Sequence, residues 1–213
     1  MNLIIFGASG RTGRALIEQA KTQGHRITAF ARNPEASLSS TPGIKVIRGD
    51  LLDAAAVARA MEGQAVILSA VGVAGSSGRS PTTLFSQGMK NIVSAARLVG
   101  AKRIIAVGSS GVDAGTKAVF PMNILAKLIV RPLLRGIYDD TARMEAELVK
   151  VELDWTVMRP PYLTQGRLTT HYRTAINQYL RGISRISRAD LAHCMLGAIS
   201  NQASYRAWME VAY

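Results

Sequence analysis

The 213-residue chain predicts one α/β domain, an open, doubly wound parallel sheet with helices on both faces and a small C-terminal lobe. Three observations carry this prediction. Short apolar runs alternate with helix-length segments, the pattern left by parallel strands and their crossover helices. A glycine-rich turn follows the first apolar run directly. The composition, 48% hydrophobic and 19% charged, is that of a globular chain with enough length for one core and too little for two comfortable ones. Residues 1–213 are therefore read as a single domain.

Residues 2–6, NLIIF, give the first strand. Ala15, Leu16 and Ala20 mark a helix that Gly24 ends, and 25–32 gives the second strand, closing a β-α-β unit of parallel-crossover length. Strands follow at 44–50, 65–72 and 103–109, with helices at 53–62 and 81–99 between them. A helix-rich stretch over 121–151, broken near Pro132 and Gly136, leads to a strand at 154–160 that two prolines stop. Asp139 and Asp140, adjacent at a helix start, point apart and suit capping better than paired acid–base work. Residues 161–188 lose periodicity, hold no acid and contain Gly166 and Gly182; they are the expected substrate-binding segment. A helix at 189–200, with Asp190 near its start, and a strand near 205–211 complete the chain.

Twenty-six Lys and Arg against 14 Asp and Glu give a net charge of +12, which attracts anions. No basic run is longer than the pair Lys102-Arg103, and no basic helix is interleaved with aromatics, so a nucleic-acid partner is not expected. Two acid-free segments, 63–112 and 155–189, hold five and six basic residues and would focus a positive field on a small anion if they shared a cleft. No apolar stretch reaches the length of a spanning helix, and MNLIIFGASG lacks the basic start of a leader. With one cysteine, Cys194, which suits a buried helical position, the expected compartment is the cytoplasm. His25, His171 and His193 lack ligand spacing, so no metal is expected.

Gly7, Gly10 and Gly13 form GxxGxxG in GASGRTG. The first glycine permits a tight turn, the second a close approach of backbone to a pyrophosphate, and the third close helix–strand packing. The helix opening near Arg11 and Thr12 would present free amides and its positive end to phosphate, and Ser9 counts with these residues as a coenzyme contact. The end of the second strand, where an acid would bind the ribose of NAD, carries Arg32. An arginine there suits the 2′-phosphate of NADP(H).

On these residues, and on GDLLDAAAV (49–57), SPTTLFSQGMKNIVSAA (80–96), DDTARM (139–144), RPPYLTQ (159–165) and GISRISRADLAHCML (182–196), the chain resembles the atypical short-chain dehydrogenases. The likeness is to the NADPH-dependent flavin reductase and biliverdin-IXβ reductase family, with the NmrA-like proteins as wider relatives. The resemblance implies that Asp50 and Leu51 flank adenine, and that Ala70, Val71 and Gly72 lie along the coenzyme. It also implies that Ser109 sits by the nicotinamide and that Pro160 and Pro161 line its pocket. Tyr162 stands where biliverdin reductases have histidine, and Ala36 where they tend to have a second arginine. The loop 73–81 looks longer than the family's and offers Arg79 to an acidic substrate group.

Short-chain dehydrogenases that reduce carbonyls use a tyrosine four residues before a lysine. Here the residue four after Tyr138 is Ala142, after Tyr162 Gly166, after Tyr172 Ile176, after Tyr179 Ile183 and after Tyr205 Met209. Alcohol–ketone chemistry is therefore disfavoured. A flavin or linear tetrapyrrole spreads the arriving charge through its rings, so that binding and orientation supply most of the catalysis. The expectation is direct hydride transfer from NADPH to a planar acceptor, with Ser109 orienting the groups and Tyr162 contacting or protonating the acceptor. Arg159, Arg167 and Arg173 are the candidates for its phosphate or propionates. The alternative is a non-catalytic NmrA-like sensor that holds the dinucleotide and acts through a protein partner; an open cleft above the nicotinamide separates the two. A monomer is expected.

Overall fold

Strand β1 (Asn2–Phe6) is apolar after its exposed first residue because both its faces are covered. Leu3 and Ile5 enter one hydrophobic core while Ile4 and Phe6 enter the other, as the two-residue period of a strand dictates. The computed structural model describes residues 1–34, 38, 41–73, 80–112 and 131–213. Around β1 it places β2 (Arg26–Ala31), β3 (Lys45–Arg48), β4 (Val66–Ser69), β5 (Arg103–Val107) and β6 (Asp154–Arg159). Two short strands, β7 (Tyr162–Thr164) and β9 (Arg185–Ser187), pair with each other, while β8 (Arg173–Ile176) and β10 (Ala207–Ala212) extend the main sheet. The main sheet runs β3-β2-β1-β4-β5-β6-β10-β8. All its pairings are parallel except β10 with β8. The order reverses between β1 and β4, which opens a crevice at their carboxyl ends, the place where such sheets bind ligands.

Helices α1 (Arg11–Thr22) and α5 (Arg188–Gly197) cover one face through Leu16, Ile17, Leu191 and Met195. On the other face lie α2 (Ala54–Met61), α3 (Leu84–Val99) and α4 (Arg135–Val149), packed through Val57, Ile92 and Leu148. Asp53 caps α2 by accepting the N–H groups of Ala55 and Ala56 at 2.9 and 3.1 Å. Helix α3 takes its cap from a neighbour: fully buried Asp140 of α4 accepts the Phe85 N–H at 2.8 Å and the Ser86 hydroxyl. The sequence places Asp140 at a helix start, and capping is its role, but the helix it caps is α3.

The break expected near Pro132 and Gly136 is present, because a short helical turn, Arg131–Leu133, stops at Leu134 before α4 begins at Arg135; residues 121–130 of the expected helical stretch lie outside the described residues. Two expectations change. The segment 161–188 does not form a lobe of its own throughout, because β8 joins the main sheet beside β10. Arg103 does not contribute a free charge to any cleft. It is 5% exposed at the start of β5 and donates to the carbonyls of Asp154, Ala198 and Ile199 and to the hydroxyls of Thr156 and Ser204. Burial lowers its pKa to about 10, and its guanidinium lies 4.5 Å from the Tyr205 ring centroid.

Candidate functional site

The turn after β1 is built by close approach. Gly7 has φ +74°, and a Cβ there would lie 2.6 Å from the Ala70 carbonyl oxygen. A Cβ on Gly13 would lie 2.3 Å from the Gly7 oxygen, so α1 rests on the turn with no room for a methyl group. Gly10 is the N-cap of α1 without a capping side chain, which leaves the first-turn amides of the helix free for an anion.

Directly in front of this turn lies a cavity of about 760 Å³. It is lined by Gly7, Ser9, Gly10, Arg11 and Thr12 from the turn, Arg32 after β2, Asp50 and Leu51 after β3, and Ala70, Val71 and Gly72 after β4. The structure thus brings the sequence-predicted coenzyme residues of the first four strands into one cleft. Gly13 supports it from behind.

Three polar or charged residues that the sequence reading did not assign also line the cavity: Arg14, Asn33 and Arg188. Arg14 was within reach, since it lies three residues after Arg11 and so on the same helix face. Arg188 begins α5, far along the chain, and only the packing of α5 beside α1 brings it in; Gln19 Nε2 donates to the Ala189 carbonyl at 2.9 Å across that contact. Arg188 Nη1 donates to the carbonyls of Leu163 and Thr164, each at 3.0 Å. Burial and the nearby Arg11 hold its pKa below the ordinary arginine value, and Tyr162 works in the opposite direction. Four arginines and one carboxylate, Asp50, therefore line the cavity. Asp50 is turned to its own loop, accepting the Leu52 N–H at 2.9 Å.

At the far end, Val107 lines the cavity and Ser109 follows two residues later. Ser109 Oγ accepts the Gly111 N–H at 3.1 Å, and the Tyr138 phenol packs against Gly111; burial raises the Tyr138 pKa and Ser109 acts in the opposite direction. Tyr138 is a residue that the tyrosine–lysine spacing alone passes over. The Pro160 carbonyl accepts the Ser110 N–H at 3.1 Å, which sets Pro160 and Pro161 beside Ser109, although neither lines the cavity. Tyr162 is 74% exposed. Its neighbour Leu163 faces the cleft, and strand alternation turns Tyr162 away.

The predicted acceptor arginines do not meet. Arg159 is 8% exposed, ion-paired with Glu145 and stacked 4.5 Å from the Trp208 ring centroid, so its charge is spent inside the protein. Arg173, on the edge strand β8, donates to the carbonyls of Arg181 and Tyr213 at 3.0 and 2.8 Å. Arg167 lines a separate 370 Å³ hollow with Thr169, Arg185 and Tyr213. Arg79 and Ala36 lie outside the described residues. Among the described residues, no three His, Cys, Asp or Glu side chains are placed to hold a metal ion, and no helix is long and apolar enough to cross a membrane.

Fold and site together define a dinucleotide-binding α/β protein. The model of the NAD(P)H-binding family matches residues 7–202, and the chain belongs to that family; its coenzyme is a nicotinamide dinucleotide. Among solved structures it is similar to a Burkholderia pseudomallei protein described as exported, at 27% identity and TM-score 0.78 with 100% of both chains covered. It also shares its fold with a short-chain dehydrogenase/reductase of Veillonella parvula solved in complex with NADP (19% identity, TM-score 0.81, 100% of this chain and 94% of that one). An anaerobilin reductase of Escherichia coli O157:H7 has the same fold (22% identity, TM-score 0.79, 100% and 97% covered). A chloroplastic protein of Arabidopsis thaliana is 30% identical over 143 residues, 58% of this chain and 43% of the relative. The chain thus spans less than half the length of that relative.

Proposed function

We propose that this protein is an NADPH-dependent reductase of a planar conjugated acceptor such as a flavin or a biliverdin. The observation that carries the reading is the arginine-lined cleft in front of a glycine turn that has no room for side chains. When bound, the coenzyme supplies hydride from its nicotinamide ring. The chain's residues do the rest. Arg32, at the end of β2 and facing the cavity, is suited to pair with a 2′-phosphate, while the open N-terminus of α1 takes the pyrophosphate.

Tyr138 is a better candidate than Tyr162 for the donor near the nicotinamide, because its phenol packs against Gly111, whose N–H Ser109 accepts, while Tyr162 is turned away from the cleft. Ala142 stands one turn further along α4, and among the described residues no cation lowers the Tyr138 pKa, which burial raises, so the phenol stays neutral. A neutral phenol suits an acceptor whose rings hold the charge until protonation. Ser109 keeps its proposed place beside the nicotinamide. Tyr162, exposed and turned away from the cleft, is left with contact only to an acceptor that extends beyond the cleft, and Arg167 is the remaining described candidate for the acceptor's acidic groups.

Against the sensor alternative stands the openness of the cleft: among the described residues, only Leu163 and Arg188 of the segment 161–188 line it. The test is a turnover panel of NADPH and NADH against FMN, riboflavin, biliverdin and quinones, followed by coenzyme absorbance. Oxidation of NADPH with at least one acceptor, faster than of NADH, is expected. Absence of turnover with every acceptor refutes the reductase reading. The anaerobilin reductase of like fold makes linear tetrapyrroles a sound first choice.

A further inference from the structure

Arg188 joins two things that the fold otherwise keeps apart. Its side chain lines the coenzyme cavity with Arg11, while its Nη1 holds the carbonyls of Leu163 and Thr164 on β7. Among the described residues, its Nε and Nη2 donors have no protein acceptor. Each of the two arginines begins a helix, Arg11 α1 and Arg188 α5. Their like charges disfavour each other across the cleft, and the one lining carboxylate among the described residues, Asp50, lies after β3 at the other edge of the sheet. A doubly charged anion between them removes that repulsion and satisfies the spare donors.

We propose that Arg188 and Arg11 clamp the coenzyme's pyrophosphate between them, and that through Arg188 this contact fastens β7 and the segment after it to the bound coenzyme. The proposal rests on the coenzyme cleft and is independent of which acceptor is reduced. It makes Arg188 a positioning residue, because coenzyme binding orders the chain that follows Tyr162.

The experiment is calorimetric titration of wild type, Arg188→Gln, Arg188→Lys and Arg11→Gln with NADP⁺ and with adenosine 2′-monophosphate, which lacks the pyrophosphate. Hydrogen exchange of residues 162–172 is followed with and without NADP⁺. The expected result is that Arg188→Gln weakens NADP⁺ about tenfold or more, the scale of one charge-assisted pair, and leaves the monophosphate within about twofold. NADP⁺ should slow exchange in 162–172 of wild type and not of Arg188→Gln, with Arg188→Lys between them. Arg11→Gln, at an exposed position, should show the same selective loss and carries the test if Arg188→Gln misfolds. Unchanged NADP⁺ affinity in both Gln variants, or equal loss for both ligands, overturns the clamp. Exchange in 162–172 that is fast already in ligand-free Arg188→Gln and indifferent to NADP⁺ in wild type would reduce Arg188 to a structural tie. Failure of wild type to bind either ligand would overturn the cleft assignment itself.

Discussion

Replacement of Asp190 by alanine should destabilise the protein by about 3–4 kcal/mol. Asp190 is fully buried near the start of α5. Its Oδ1 accepts the N–H groups of Thr169 and Thr170 at 2.9 and 2.8 Å, and its Oδ2 accepts the hydroxyls of Thr169, Ser187 and Tyr213 at 2.9, 3.0 and 2.6 Å. Each hydrogen bond to a charged group contributes about 1.5–3 kcal/mol net. Five of these added together would reach the whole stability of an ordinary domain, so they cannot be additive. Two features set the limit. Thr170 is exposed and Thr169 is half-buried, so the segment can peel away and return its amides to water. The Ser187 hydroxyl also keeps its cap on the Asp190 N–H at 2.9 Å. What remains is the loss of the buried ties to Ser187 and Tyr213 and the detachment of 167–172. Asp190→Asn should cost less, about 1–2 kcal/mol, because Oδ1 can still accept both amides while two of the three hydroxyls rotate to accept from the new NH₂ group and the third loses its partner.

The pH dependence separates charge from shape. Burial raises the Asp190 pKa, but its hydrogen bonds outweigh that and leave the group below its ordinary value. A depressed folded-state pKa contributes stability that is fully present above the unfolded value, near 3.9, and is lost as pH falls through the folded value. Urea unfolding of wild type should therefore weaken below about pH 4 through this group, a slope that Asp190→Asn lacks. An alanine variant within about 1 kcal/mol of wild type at pH 7, well under the scale set by its hydrogen bonds, would refute the claim that this carboxylate holds 167–172 in place.

Arg32→Glu should invert coenzyme preference, weakening NADPH by about tenfold or more through lost pairing and new repulsion while NADH affinity holds or improves; comparison of the two Kd values checks this. Cys194 should resist thiol reagents in the native protein, because burial raises its pKa to about 12 and its Sγ lies 3.8 Å from the Met209 sulfur. Labelling should appear only with denaturant, and rapid native labelling would contradict the packing of α5.

The legible parts of this protein are the local ones. The apolar run of β1, the glycines of its turn and the strand-end Arg32 act within a few residues of one another, and the structure places them as their spacing implies. The arginines were harder to read, because a charge in the sequence says nothing about its partner. Arg159 meets Glu145 and Trp208, and Arg103 is occupied by carbonyls and hydroxyls. The acid-free segment around 161–188 receives acids from outside itself: Asp190 holds Thr169 and Thr170, and Glu210 accepts the Leu180 N–H at 2.6 Å. Regional charge along the chain was therefore a poor guide to charge in space. The cleft draws its positive field from single arginines at the starts of α1 and α5, one turn into α1, and beyond the end of β2. These are places where parallel topology brings helix starts and strand ends to the same edge of the sheet. A scan for basic residues at such junctions would have found Arg188. It would also have passed over Arg159, which ends β6 but lies beneath Trp208 of the neighbouring β10, only if it also weighed which strand ends a further strand covers.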